Sequence, residues 1–398
     1  MTPNEVVGSA ITILGKGLDA HIARVMTPII GELEWPVVLK EVDAGKGKIG
    51  YEYARNDVAM QLRMVTERLG AIGYPFDEGD RNRTMSSYGG ILRIFRKRWA
   101  HNDEFSHFEA SHLLDTVLIV MMHIGDSGRA DEVAALHAGL VDELVNETAN
   151  AGVKSEQDPK HGISEDARPV DLEMFATCQG MGDWNKDAKT PARVPGLHGF
   201  RSTTHETIWE PWEVTVMGVQ EELDRLRTKA AQQNARAVIE VIVDTEAPIQ
   251  ADRLARLVGN AFGLKRVQKD RIKAIMHQMT RSDVVKDKDG FVWAKNVDPQ
   301  RWLLYRICGD GVRAFDEVSP VEIANAIVAV LAAKGAMDPD ALRYAVMNAF
   351  GRRKVSKTVT DQFRKGMDQA LAYGRIIETA GVVSLVPVVE PTDELAAV

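Results

Sequence analysis

The string Arg96-Lys97-Arg98-Trp99-Ala100-His101-Asn102 brings together two side chains suited to phosphoryl chemistry without a metal. Arg96 carries a guanidinium that stays charged at any physiological pH, and His101 carries the imidazole that titrates nearest neutrality. Strand transfer in RNA needs both functions. A proton must leave the ribose 2′-hydroxyl and another must reach the departing oxygen, while fixed positive charge stabilises a pentavalent phosphorane. Arg96 and His101 are therefore the candidate catalytic pair, and Asn102 is placed to hold the imidazole or the phosphate. Lys97 and Arg98 are candidate RNA contacts. The same spacing also arises by chance on basic helices, so the surrounding residues decide its weight.

Other chemistries find less support. His101, His107 and His112 are six and five apart, which gives no i, i+4 pair, and no His-Glu-x-x-His occurs. Cys178 and Cys308 are too few for a cysteine zinc site or a disulfide framework. Gly15-Lys16-Gly17 and Gly45-Lys46-Gly47-Lys48 are too short to cradle phosphates and read as turns. Neither a metal nor a cofactor is expected.

The elements that position the motif read as helices. Apolar periodicity predicts helices over Val6 to Met26 and Val58 to Leu69. After Ser86-Ser87-Tyr88-Gly89-Gly90, a helix runs from Ile91 to His101. A capping box of Ser106 and Glu109 opens the next helix, and a last amphipathic one covers Ala130 to Val145. From 149 to 204 the chain is rich in Gly, Pro, Asp and Lys and reads as a connector with a short apolar patch at Leu172 to Phe175.

Beyond Trp209-Glu210-Pro211-Trp212 lies an internal repeat. Residues 247–267 and 335–355 align at an offset of 88, with Asn260-Ala261-Phe262-Gly263 recurring as Asn348-Ala349-Phe350-Gly351. Each copy reads as helix, turn, helix, basic turn, longer helix, then a strand pair. Val284-Val285 pairs with Phe291-Val292-Trp293, and Arg375-Ile376-Ile377 with Val382 to Leu385. Three helices and a β-wing predict two winged helix-turn-helix modules. Their cations Lys265, Arg266, Lys269, Arg271 and Arg352, Arg353, Lys354, Lys357 are candidate phosphate contacts. Residues for reading base edges are sparse there, so backbone binding is expected over sequence recognition.

The totals fit. A chain of 398 residues predicts two or three domains, and 45% hydrophobic with 27% charged residues is a globular composition. No apolar run near the length of a bilayer span stands out, and residues 1–5 lack the features of a secretory signal. A cytoplasmic protein without membrane contact is expected. The net charge of -8 argues against an indiscriminate nucleic-acid coat, yet 251–375 holds 23 Lys/Arg against 14 Asp/Glu. A nucleic-acid-facing half is the natural reading of that segregation.

Ser87-Tyr88, Arg96, Trp99-Ala100-His101-Asn102, Phe105 and Leu114-Asp115-Thr116, with the helix Gly8 to Leu18, resemble the HEPN superfamily. The likeness is to the branch named after a yeast endonuclease of nuclear transcript surveillance, and it covers about 1–125. Where that branch carries Asn or another small polar residue after the motif Arg, this chain has Lys97. The resemblance implies a metal-independent endoribonuclease that leaves 2′,3′-cyclic phosphate and 5′-hydroxyl ends. His101 would be its proton-transfer group and Arg96 its phosphorane-stabilising group. With one motif His per chain, a homodimer would supply the second. From about Trp209 to Leu385 the chain is similar to an uncharacterised bacterial domain at the end of helicase-like defence proteins, carried by Trp-Glu-Pro-Trp, Ala-Phe-Gly-Leu-Lys-Arg-Val and Gly-Phe-Val-Trp.

The expectation is thus a mainly α chain. A HEPN bundle at 1–150 precedes a connector at 151–205, winged-helix repeats at 206–319 and 320–388, and a tail at 389–398. RNA is the expected substrate, with DNA or RNA on the wings and a defence or toxin-like role that includes a partner protein. The alternative is a non-catalytic dimeric nucleic-acid-binding or adaptor protein.

Overall fold

The structure, a computed structural model, describes residues 1–155, 206–224, 226–308, 313–352 and 354–386. The expected connector from 156 and the tail lie outside the described residues. The chain is mainly helical with short strands, as expected.

The first unit comprises α1 (Pro3–Ile30), α2 (Pro36–Ala44), β1 (Lys46–Lys48), α3 (Val58–Thr66), α4 (Thr84–Ala100), α5 (His107–His123) and α6 (Ser127–Ser155). Thr2 and Ser106 open α1 and α5 with capping boxes that close on Glu5 and Glu109. The stripe Val7, Leu14, Leu18, Ile22 and Met26 makes α1 the spine of the first core. By length and composition alone α1 is long and apolar enough to cross a membrane, with an 18-residue stretch of mean hydropathy 1.2, and half of that stretch is buried as core. Gly15 and Gly17 are also helical, not turns. A Cβ on Gly15 would come within 2.7 Å of Val58 and one on Gly17 within 2.7 Å of Met121, so the small residues let α3 and α5 close on α1.

The motif helix starts earlier than its sequence suggests. Asp77 accepts the backbone N–H of Met85 at 3.0 Å and Asp80 that of Thr84 at 2.9 Å, satisfying the first turn of α4. Ser86 to Gly90 is therefore helical. Gly89 is tolerated inside because a Cβ there would sit 2.6 Å from Thr66 of α3.

The second unit begins with β2 (Glu206–Ile208), α7 (Gln220–Asp224) and α8 (Lys229–Glu246). It continues through β3 (Ile249–Gln250), α9 (Ala251–Ala261), α10 (Lys269–Met279), β4 (Val284–Lys286), β5 (Phe291–Ala294), β6 (Val297–Trp302) and β7 (Tyr305–Ile307). The second copy is α11 (Pro320–Lys334), α12 (Pro339–Ala349), α13 (Lys357–Ala372), β8 (Ile376–Thr379) and β9 (Val382–Leu385). In the first copy Ile249 of β3 pairs with Val292 of β5; in the second, Met337, 88 residues on, bridges Val383 of β9. Both copies thus place three helices beside a β hairpin with one further strand contact. Each copy has its own core, one built mainly on Ala235 to Trp302 and the other on Tyr305 to Val383, and Val321 of α11 enters the first.

α13 lies closest to α11 at Gly366, where a Cβ would fall 2.2 Å from Ile323 Cγ2. Alanine in a helix interior gains up to about 1 kcal/mol over glycine. Ile323 is fully buried and stiff at χ1, so overpacking of roughly 1–3 kcal/mol outweighs that gain. Gly366→Ala is expected to lower the urea midpoint without changing the slope of the transition.

Two joints between the units, among the described residues, bear on the motif helix. β1 pairs antiparallel with β6, Lys46 opposite Trp302 and Lys48 opposite Val297. Gly47 makes this approach with φ +59°, where a Cβ would stand 2.6 Å from the Asp298 carbonyl oxygen. The second joint is α4 itself. Leu92 and Phe95 belong to the first core, while Ile94 is fully buried in the second.

Candidate active site on the motif helix

Because α4 is shared by two cores, its charged residues point in separate directions. Arg93 faces inward to Thr66 and Glu67. It joins a buried network in which Arg63 donates to Asp43 at 2.8 and 2.9 Å and to Glu67 at 2.8 and 3.0 Å. Burial and the Arg63 guanidinium pull nearby Lys48 down to about 8.

Arg96 stands at the rim. One Nη donates to Asp57 at 3.1 Å, and Asp57 also caps α3 by accepting the Ala59 N–H at 2.9 Å. His101 ends α4 as its C-cap residue, half-exposed, with Nε2 3.5 Å from Oε2 of Glu240 on α8. No hydrogen bond or ion pair joins Arg96 to His101. Asn102 follows at φ +54°, the left-handed conformation that asparagine tolerates best after glycine, so its backbone terminates the helix. Trp99 lies against Gly8 of α1.

Two expected RNA contacts are committed elsewhere. Arg98 is only 2% exposed. It donates to Glu109 at 2.5 Å and to the Glu104 carbonyl at 3.2 Å, and it lies over the Phe105 ring. Arg98 is thus a strut between α4 and α5. Lys97 bridges the units, 3.0 Å from Asp244 and 3.3 Å from Glu240 on α8. Burial opposes its charge, but Asp244 and Glu240 outweigh it and hold the ammonium above its ordinary range.

Sequence reasoning missed Glu240, Asp244 and Asp283. The cue was a glutamate within the apolar run Val238 to Val243, since a buried acid requires a partner. His101, Glu240 and Asp283 offer ligand atoms within 4.8 Å of one another, a spacing open to a divalent cation. Lys97 and Lys295, at 3.3 and 3.1 Å, already neutralise the two carboxylates, so the cluster is sufficiently described as an ion-pair junction. The linear histidine spacing could not reveal it, because α4, α8 and the turn before β4 each supply one member. A second trio, Ser111, His137 and Asp115, uses one ring nitrogen for both contacts and so forms no relay.

The cations of the second unit divide similarly. Lys265, Arg266 and Lys269 are exposed and carry no ion pair among the described residues, whereas Arg271 is held by Asp224 at 2.9 and 3.0 Å. That pair braces α10 against α7. Lys354 and Lys357 are exposed, and one buried Arg352 nitrogen lacks a hydrogen-bond partner. Arg353 lies outside the described residues. Arg253, Arg256, Lys265 and Arg266 line a cavity of about 380 Å³ beside α9.

The family model described as Swt1-like HEPN matches residues 9–125, and the chain carries an N-terminal HEPN domain. A second family, described as a protein of unknown function, DUF3320, matches residues 224–273, from the end of α7 into α10. No curated protein matches the chain, and no solved structure does.

Proposed function

We propose that the protein is an endoribonuclease that cuts by transesterification, with Arg96 and His101 as its chemical groups. One observation carries this reading: within the HEPN-matched residues, both side chains reach solvent from the last turn and a half of α4. His101 takes the proton of the ribose 2′-hydroxyl, the 2′-oxygen bonds to phosphorus, and the bond to the 5′-oxygen breaks. The leaving oxygen receives a proton, and Arg96 stabilises the charge of the intermediate phosphorane. A single imidazole cannot serve both ends at once, so a homodimer that places two motif helices in one cleft supplies the second. The test is incubation of the purified protein with RNA in EDTA. Fragments with 2′,3′-cyclic phosphate and 5′-hydroxyl ends support the reading; intact RNA with a folded protein opposes it.

The two helical copies read best as winged-helix modules that hold nucleic acid by its backbone, acting in the cytoplasm in defence or growth arrest together with a partner protein. The exposed Lys265, Arg266 and Lys269, which have no ion-pair partner among the described residues, and the cation-lined cavity support this. Charge reversal at Lys265 and Arg266 is expected to weaken binding to RNA or DNA at all sequences. Their loss should flatten the dependence of log K on log salt by about 0.9 for each phosphate contact removed. Filter binding from low to high salt measures that slope.

The second reading is a dimeric nucleic-acid-binding adaptor without cleavage. The engagement of Lys97 and His101 by α8 favours it. Salt-sensitive binding with no new RNA ends would be its signature.

A further inference from the structure

We infer that Glu240, supplied by the second unit, is the positioning residue of His101; this rests on the reading of His101 as the proton-transfer group. The Glu240 side chain is 5% exposed and fixed from two sides. Its Oε1 accepts the Asp283 backbone N–H at 3.0 Å. Its Oε2 lies 3.3 Å from Lys97 Nζ and 3.5 Å from His101 Nε2, yet no aligned hydrogen bond reaches it. A carboxylate oxygen can accept more than one donor, so the Lys97 ion pair leaves room at Oε2 for an aligned N–H. The imidazole N–H is the donor at hand, and a small turn of the half-exposed His101 ring completes the bond.

That bond dictates which nitrogen does the chemistry. With its Nε2 proton directed at Glu240, the imidazole presents the Nδ1 lone pair to solvent, where it can accept the proton of a 2′-hydroxyl. A carboxylate in this position fixes the tautomer and ring orientation and stabilises the imidazolium formed in the reaction. Lys97 gains a role as well. Its ammonium pins Glu240 while Asp244 holds it from the far side at 3.0 Å. Lys97 on α4 and the acid pair on α8 are two halves of one device. Asp283, at the rim, is turned to Lys295 at 3.1 Å, and Asp103 lies 3.8 Å from Arg98.

The experiment compares full-length wild type, Glu240→Gln, Glu240→Asp, Glu213→Gln and His101→Ala on a labelled single-stranded RNA, with ¹⁵N spectra of the His101 ring. Glu240→Gln is expected to lower kcat by roughly ten- to a hundredfold, as when an imidazole loses its carboxylate partner, with KM unchanged. Glu240→Asp should recover part of the loss. Glu213→Gln breaks a cross-unit pair, with Arg83, that takes no part in holding Glu240 or His101, and both constants should stay within about twofold of wild type. The neutral His101 ring should show one tautomer, protonated at Nε2, in wild type and a mixture in Glu240→Gln. An inactive His101→Ala beside a Glu240→Gln that cuts as fast as wild type or faster overturns the positioning role alone. So does a tautomer unaffected by Glu240→Gln. A His101→Ala that still cuts overturns the endoribonuclease assignment of His101 and this inference with it.

Discussion

His101→Ala is expected to lower RNA cleavage by about two to four orders of magnitude, the usual contribution of a positioned proton-transfer group. Folding should survive the change. The His101 side chain is half-exposed, and its part in ending α4 is made by its backbone N–H, which bonds to the Lys97 and Arg98 carbonyls at 3.2 and 3.1 Å. Circular dichroism and the melting temperature should therefore match wild type while product formation disappears. Arg96→Ala should cost roughly 10²- to 10³-fold in kcat, since a guanidinium aimed at the phosphorane matters most in the transition state. It also removes one contact from Asp57, which keeps its capping bond to Ala59, so the effect on stability is expected to be small. Gel analysis of labelled RNA separates these outcomes.

The largest effect on stability is expected at Glu322→Ala, in the second unit. Glu322 is fully buried and accepts from Arg306 at 2.7 and 3.0 Å and from Arg313 at 3.1 and 2.8 Å. Arg306 also donates to the carbonyls of Glu246, Ala247 and Pro248, so this cluster joins the end of α8 to the start of α11. Removing the carboxylate strands two buried guanidinium groups without a counter-charge, at a cost of about 3–5 kcal/mol. Glu322→Gln, which keeps the shape, should cost less. A pH dependence follows from the same contacts. Burial disfavours the charged carboxylate, but Arg306 and Arg313 outweigh it and hold Glu322 down to about 2, against 4.5 for an unperturbed glutamate. A carboxyl group depressed on folding contributes its stability above the unfolded value and loses it as pH falls through the folded one. Roughly 3 kcal/mol should fade between about pH 5 and pH 2. Urea titrations across that window should show wild type converging on Glu322→Gln.

The parts of the molecule legible in the sequence were those set by local chemistry. The capping box at Ser106 and Glu109, the apolar stripe of α1 and the hairpin of β8 and β9 follow from neighbours in the chain. So does the 88-residue repeat, because both copies need the same core positions. The motif helix was located but started too late, since its N-terminal donors are met by Asp77, a residue outside the usual capping position. The site itself was half legible. Arg96 and His101 declared themselves by type and spacing. Lys97 and Arg98 did not reveal their partners, because a helix face cannot be assigned to solvent or to a second domain without knowing that Ile94 enters another core. Glu240 lies in a segment whose relation to α4 exists only after folding.

The central claim is that the Arg96–His101 end of α4 cuts RNA. The most direct measurement maps 5′-hydroxyl RNA ends in cells expressing wild type or His101→Ala at equal protein levels. New 5′-hydroxyl ends, accompanied by growth arrest, are expected in wild type alone. The same ends at the same abundance in both strains, or in neither, would contradict the assignment.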